Sequence, residues 1–213
     1  PAGVRQVGPP IPARILRSAW MRSDHPRIEL LVGRADLVHG TNFVSPPTRR
    51  AIEVVTIHDL TYEQHRDTVD KSSLDYRVLV RRALDRGALV VTPTRTVADS
   101  VRSLYGLGSD RVTPTLLGVG EEWFTAAPAT EHWLAERGIP QRYVVFVGSL
   151  DPRKNLPHLI SAHQRAQAQA STTPDLVLAG PAGRATRLSL GPGEHLSGWL
   201  PDRDLRALVA GAQ

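Results

Sequence analysis

Short runs of β-branched and aliphatic residues recur along the chain. Each closes on a polar or turn residue, and most are followed by a stretch with helical spacing. This alternation constrains the fold more than any other feature, because parallel strands need a crossover between them and a helix usually supplies it. Residues 35–39 (ADLVH), 53–57 (EVVTI) and 88–92 (ALVVT) read as buried strands. Residues 111–117 form a weaker fourth, confined by Pro114 to an edge or a strand end. Residues 143–147 (YVVFV) are the clearest strand and stop at Gly148; residues 176–179 (LVLA) stop at Gly180. Helices are predicted over 72–86, over 94–105 with Thr94 as N-cap and Gly106 as stop, and over 157–170 with a proline in the first turn. The pattern predicts an α/β protein whose parallel sheet is covered on both faces.

The strands are too many, and their order too broken, for one unit. Between residues 118 and 142 the alternation lapses; residues 118–130 read as a linker, followed by a short helical piece over 131–137. The expected division is residues 1–124 and residues 125–213. Composition agrees with a globular chain: 41% hydrophobic and 22% charged over 213 residues. No run approaches the roughly 20 apolar residues of a bilayer span, and residues 1–12 hold several prolines but no apolar core of a signal peptide. Cysteine is absent, which excludes disulfides, thiolate metal sites and a cysteine nucleophile. The net charge is +5, and of 26 basic residues only Lys71 and Lys154 are lysines. Such a balance suits anionic partners. Dispersed arginines and 5% aromatics argue against nucleic acid. The chain opens on proline and closes inside a helix-like stretch, 202–213, so both ends read as cut.

In open parallel sheets, ligands sit at the carboxyl ends of the strands. After 143–147 come Gly148, then Arg153 and Lys154 at the start of a helix. Free N–H groups, the helix dipole and two adjacent cations suit a phosphate, against the plainer reading of a solvated loop. After 53–57 come His58 and Asp59; an imidazole there can orient or polarise a substrate oxygen, donate to a phosphate when protonated, or simply end the strand. His39 ends the preceding strand, with Thr41 and Asn42 next, so two neighbouring strand ends would frame one cleft. Gly180 and Gly183 would let a ligand approach the backbone or make a turn. No dinucleotide fingerprint, P-loop or serine elbow is present, and the histidines and carboxylates lack metal-ligand spacing. Arg77, Arg81, Arg82 and Arg86 on helix 72–86 form either a solvated face or a surface for an anionic membrane.

Several segments together resemble one family. They are His39-Gly40-Thr41-Asn42, VVTIHDLTYE at 54–63, VVTPTRTVADSV at 90–101 and LLGVGEEWF at 116–124. YVVFVGSLDPRKNLPHLISAH at 143–163, LVLAGP at 176–181 and HLSGWLPDRDLRALVAGA at 195–212 follow in order. The set is similar to glycosyltransferase family 4, the group 1 retaining glycosyltransferases of GT-B fold; GSLDPRKNL is its most specific part. The resemblance covers residues from about 35 to the end; residues 1–33 carry no motif.

The resemblance implies two Rossmann-like domains around a cleft, the N-terminal one for the acceptor and the C-terminal one for a nucleotide-sugar donor, each incomplete here. It implies that Gly148, Arg153 and Lys154 bind the donor diphosphate, that His58 is the catalytic residue facing the transferred sugar, and that Leu200 contacts the nucleobase. His39 and Asn42 fall on the acceptor side. Ser149 stands where some members have an arginine, and Gly120 stands where an aspartate is usual. The family's paired glutamates would lie beyond Gln213. The implied activity is transfer of a hexose, mannose first, to a hydroxyl of a glycan or lipid-linked sugar in cell-wall or polysaccharide biosynthesis. The implied partners are the nucleotide-sugar donor, that acceptor and anionic lipid, in the cytoplasm or at the inner face of the membrane. No cofactor and no essential metal are implied. The alternatives are a sugar-nucleotide epimerase of the same architecture and a non-enzymatic module for anionic ligands or membrane surfaces.

Overall fold

The structure is a computed structural model that describes residue 5 and residues 7–183 and 188–213, leaving aside the Arg153 side chain. The chain forms two compact units, Pro1–Gly118 and Val119–Gln213.

The first unit runs α1 (Ala13–Trp20), α2 (Glu29–Val32), β1 (Leu37–Gly40), β2 (Ile52–Thr56), α3 (Thr61–Gln64), α4 (Tyr76–Asp85), β3 (Leu89–Thr92), α5 (Arg95–Tyr105) and β4 (Val112–Pro114). Its four strands are parallel, in the order β1-β2-β3-β4. Val55, Val90 and Val112 point from one sheet face into a core shared with Val80, Ala83 and Leu84 of α4 and Ala98 and Val101 of α5. Fully burying each of the valines or Leu84 contributes about 1.5–3 kcal/mol. Thr94 caps α5 by accepting the Val97 N–H at 3.1 Å, and Gly106 ends it in the left-handed region at φ 66°. Both features stand where the sequence placed them. β4 is an edge strand, as Pro114 requires.

One expectation for this unit needs correction. Among the described residues the sheet is covered on one face only: α4 and α5 lie on the same side, and Leu37, Ile52 and Leu89 on the other remain 55%, 56% and 39% exposed. The stretch 1–33, which carried no motif, holds α1 and α2; Trp20 is buried, and its indole N–H donates to the Pro26 carbonyl at 2.9 Å.

The second unit runs α6 (Glu121–Phe124), α7 (Glu131–Ala135), β5 (Tyr143–Val147), α8 (Leu156–Gln169), β6 (Asp175–Ala179), β7 (Glu194–Gly198) and α9 (Asp202–Ala210). Its three strands are parallel in the order β5-β6-β7. Here both faces are covered. Leu176 and Leu178 meet Leu156 and Ile160 of α8, while Val177 and Ala179 meet Leu134 of α7 and Leu208 of α9. The stretch read as a linker, 118–130, contains α6 and from Val119 on belongs with this unit, tied to α9 by an Arg206–Glu122 pair at 3.5 Å. β7 was not read from the sequence as a strand. Its residues, EHLSG, lack a β-branched run because it lies at the sheet edge and its one fully inward residue is a carboxylate.

Candidate functional site

Three neighbouring strands of the second unit end on glycine. Gly148, Gly180 and Gly198 follow or close β5, β6 and β7, with φ of 154°, 152° and 67°. The strand ladder continues through them: Gly148 N–H donates to the Ala179 carbonyl and Gly180 N–H to the Gly198 carbonyl, each at 2.9 Å. A Cβ on Gly180 would meet the Gly148 carbonyl oxygen at 2.0 Å, so no side chain fits there. The carboxyl end of this sheet is therefore bare backbone, open to close approach by a ligand.

The loop after Gly148 folds on itself. Ser149 Oγ donates to Asp151, the Leu150 N–H reaches the Pro181 carbonyl at 3.1 Å, and a 3-10 turn, Pro152–Lys154, leads to Asn155 in the left-handed region. Asn155 opens α8 without a side-chain cap, so the amino end of that helix keeps its positive potential. Lys154 is exposed, and its stem lies back over the strand tip: a methyl on Gly148 would sit 3.8 Å from Lys154 Cε. No carboxylate among the described residues pairs with its ammonium. The Arg153 side chain lies outside the described residues. Leu200 is 8% exposed and its side chain belongs to the core with Tyr143 and Leu208, which leaves its backbone for any ligand. Trp199 beside it is 69% exposed.

In the first unit, β1 and β2 are parallel neighbours, so His39 and His58 stand at adjoining strand ends. Each imidazole is held by a threonine from the other strand or its exit. His39 Nε2 lies 2.8 Å from Thr56 Oγ1, and His58 Nε2 lies 3.0 Å from the Thr41 carbonyl oxygen. Both histidines are exposed. A carbonyl only accepts, so Nε2 of His58 carries the proton. Asp59 does not orient the ring; its Oδ1 accepts the Thr61 N–H at 2.9 Å, at the entry to α3. Asn42 is exposed, and its carbonyl accepts the Val44 N–H at 2.7 Å.

Behind His58 stands an aromatic cluster that sequence reading missed. Phe43 meets His58 edge-on at 5.5 Å, meets Tyr62 edge-on at 5.4 Å and stacks on Tyr76 at 4.6 Å. Tyr62 is buried and shares a 3.1 Å hydrogen bond with the Tyr105 hydroxyl; burial pushes its phenol far above the ordinary tyrosine value. The members are far apart in sequence, so no local signal marks them.

The arginine face of α4 is not free. Arg77 pairs with Glu63 at 2.9 Å, Arg82 with Asp24 at 2.7 Å, Arg86 with buried Glu53 and with Asp24, and Arg81 lies over the Tyr105 ring. This face ties the unit together through these pairs. Among the described residues no helix is long and apolar enough to cross a membrane. A cavity of about 480 Å³ lined by Glu122, Pro128, Trp133, Arg203 and Ala207 is built from none of these strand tips.

No protein-family model matches the chain. It is 26% identical over 215 residues to O-antigen chain mannosyltransferase B of Escherichia coli, a match covering 92% of this chain and 52% of that protein. Sucrose-phosphate synthase from Thermosynechococcus elongatus superposes with a TM-score of 0.62 at 17% identity, over 97% of this chain and 57% of that one. The chain thus spans about half the length of these relatives. The α/β fold with parallel sheets expected from the GT-B resemblance is the fold this chain has.

Proposed function

We propose that this protein is a glycosyltransferase that moves a hexose, mannose first, from a nucleotide-diphosphate sugar to a hydroxyl of a glycan or lipid-linked acceptor, with retention at the anomeric carbon. The observation that carries this reading is Lys154: an exposed ammonium, with no carboxylate partner among the described residues, laid over a glycine strand tip beside the uncapped amino end of α8. A compact cation and a helix amino end together stabilise the charge that develops on a leaving diphosphate. Arg153 is the second cation of that grip, Leu200 offers its backbone to the base, and Gly148 gives the phosphates access to the chain. The relationship to a mannosyltransferase supports both the reaction class and the choice of sugar.

In the proposed reaction the bond between the anomeric carbon and the phosphate oxygen breaks. The acceptor hydroxyl oxygen bonds to that carbon on the same face, and its proton passes to the departing phosphate. His58 holds the transferred sugar; His39 and Asn42 serve the acceptor. The nucleotide sugar is a substrate, and the reaction as written uses no cofactor and no metal. Activity belongs in the cytoplasm, at the membrane's inner face where the acceptor is lipid-linked.

Incubation with a panel of nucleotide sugars and acceptors tests this reading. Free nucleoside diphosphate together with an elongated acceptor is the expected result. An isomerised donor would replace it with an epimerase, and lipid binding without turnover would replace it with a binding module.

A further inference from the structure

We propose that Phe43 is a positioning residue. Its backbone sets the ring crosswise against His58, keeps the His58 Nε2–H on the Thr41 carbonyl, and leaves Nδ1 as the nitrogen that receives a ligand hydroxyl. The first observation is the backbone. Phe43 has φ 60°, in the left-handed region where a bulky side chain is strained and glycine or asparagine would sit readily. Strain of this kind persists only where the surroundings over-determine it, and here they do. The Phe43 N–H donates to the Thr56 carbonyl at 3.0 Å, the next N–H closes on Asn42, and a Cβ on Gly40 would strike the Val44 carbonyl oxygen at 2.1 Å. The loop between β1 and β2 has little room for another path.

The second observation is where the ring goes. Phe43 is 9% exposed, with its face on Tyr76 at an interplanar angle of 25° and an edge-to-face contact with His58 at 78°. Tyr76 is backed in turn by the Arg17 guanidinium, 5.0 Å from its ring centre. The imidazole therefore has an aromatic wall on one side and the Thr41 carbonyl at Nε2. With the proton on Nε2, the neutral ring carries its lone pair on Nδ1. Nδ1 makes no hydrogen bond to the described residues. A lone pair accepts an O–H, whereas an ionised phosphate oxygen has no proton to give. The group that fits this nitrogen is a hydroxyl of the sugar or of its acceptor. This last step rests on the proposed function; the orientation of the ring does not.

Imidazole proton–nitrogen spectra of the 15N-labelled protein at alkaline pH, where histidines are neutral, test the proposal. A His58→Gln variant assigns the signal, and His39 serves as internal reference. The expected wild-type result is a single Nε2–H form of His58 whose proton exchanges slowly enough to be observed. Phe43→Gly relieves the backbone strain but removes the ring; it should speed that exchange by about tenfold, the worth of one hydrogen bond, with His39 unchanged. Phe43→Leu keeps the core filled without the aromatic edge and should give the same direction, which preserves the test if the glycine variant unfolds. A His58 proton on Nδ1, a rapid tautomer mixture in the wild type, or wild-type exchange in both folded variants would overturn the proposal. GDP-mannose should move the Nδ1 signal and inorganic phosphate should not; the opposite pattern would also overturn it. A locked ring in a protein that binds no nucleotide sugar would instead remove the proposed function and keep Phe43 in its role.

Discussion

Gly180 and Gly148 touch backbone to backbone: a Cβ on Gly180 would lie 2.0 Å from the Gly148 carbonyl oxygen, and φ at Gly180 is 152°. The clash is with main chain, so no rotamer relieves it. Gly180→Ala should destabilise the second unit by about 3 kcal/mol or more. Gly138→Ala, where a Cβ meets open space at φ 63°, should cost only about 1–2 kcal/mol. Urea midpoints followed by tryptophan fluorescence compare the two; equal midpoints would contradict the close approach at the strand tips.

Lys154 is exposed and takes no acidic partner among the described residues, so its removal should spare the fold. Lys154→Ala should lower kcat/KM by an amount equivalent to about 2–4 kcal/mol, as for removal of other charge-stabilising donors. Lys154→Arg should recover only part, because a planar fork does not replace a compact ammonium. Turnover near wild type in the alanine variant would take Lys154 out of the site.

His163 and Glu194 form a buried pair joining α8 to β7. His163 Nδ1 lies 2.6 Å from Glu194 Oε1 and its Nε2 lies 2.8 Å from the Pro174 carbonyl oxygen, so both ring nitrogens face acceptors. Burial pushes the Glu194 carboxyl up, but hydrogen bonds from Gln164, His163 and the Gly191 N–H outweigh it and hold the carboxyl below its ordinary 4.5. A carboxyl lowered on folding stabilises the folded state above its unfolded value, and that contribution fades as pH falls through the folded value. Stability of the second unit should therefore hold above about pH 4.5 and decline below it, and Glu194→Gln should flatten the decline. His163→Leu, which leaves the carboxylate buried and short of its partner, should cost about 3 kcal/mol. Denaturation midpoints over the acid range supply the readout.

Arg86 forks onto buried Glu53 and also reaches Asp24 and the Ser45 carbonyl, the latter two at 3.2 and 3.1 Å. Arg86→Ala leaves the Glu53 carboxylate buried without its cation and should cost about 3–5 kcal/mol. Arg77→Ala, at a 42% exposed partner of Glu63, should cost under about 1 kcal/mol. Comparable losses at both sites would mean that Glu53 finds another partner.

The sequence by itself determined what acts over a few residues. β5 matches its reading, Tyr143–Val147, and Thr94 and Gly106 bound α5, because strand-forming runs, caps and stops work through the adjacent backbone. It also located the residues at the strand tips, Gly148, Lys154, His39 and His58, since a parallel sheet puts every strand's exit at one end. Tertiary structure alone decided which partners these residues take. Asp24 meets Arg82 across 58 positions, and Thr41 meets His58 across 17, pairings set by strand order and helix placement that no local pattern carries. The same cause gave the arginines of α4 their carboxylate partners, and made a strand of the polar segment Glu194–Gly198, whose inward carboxylate is tolerable because His163 and Gln164 of α8 and the Gly191 N–H meet it.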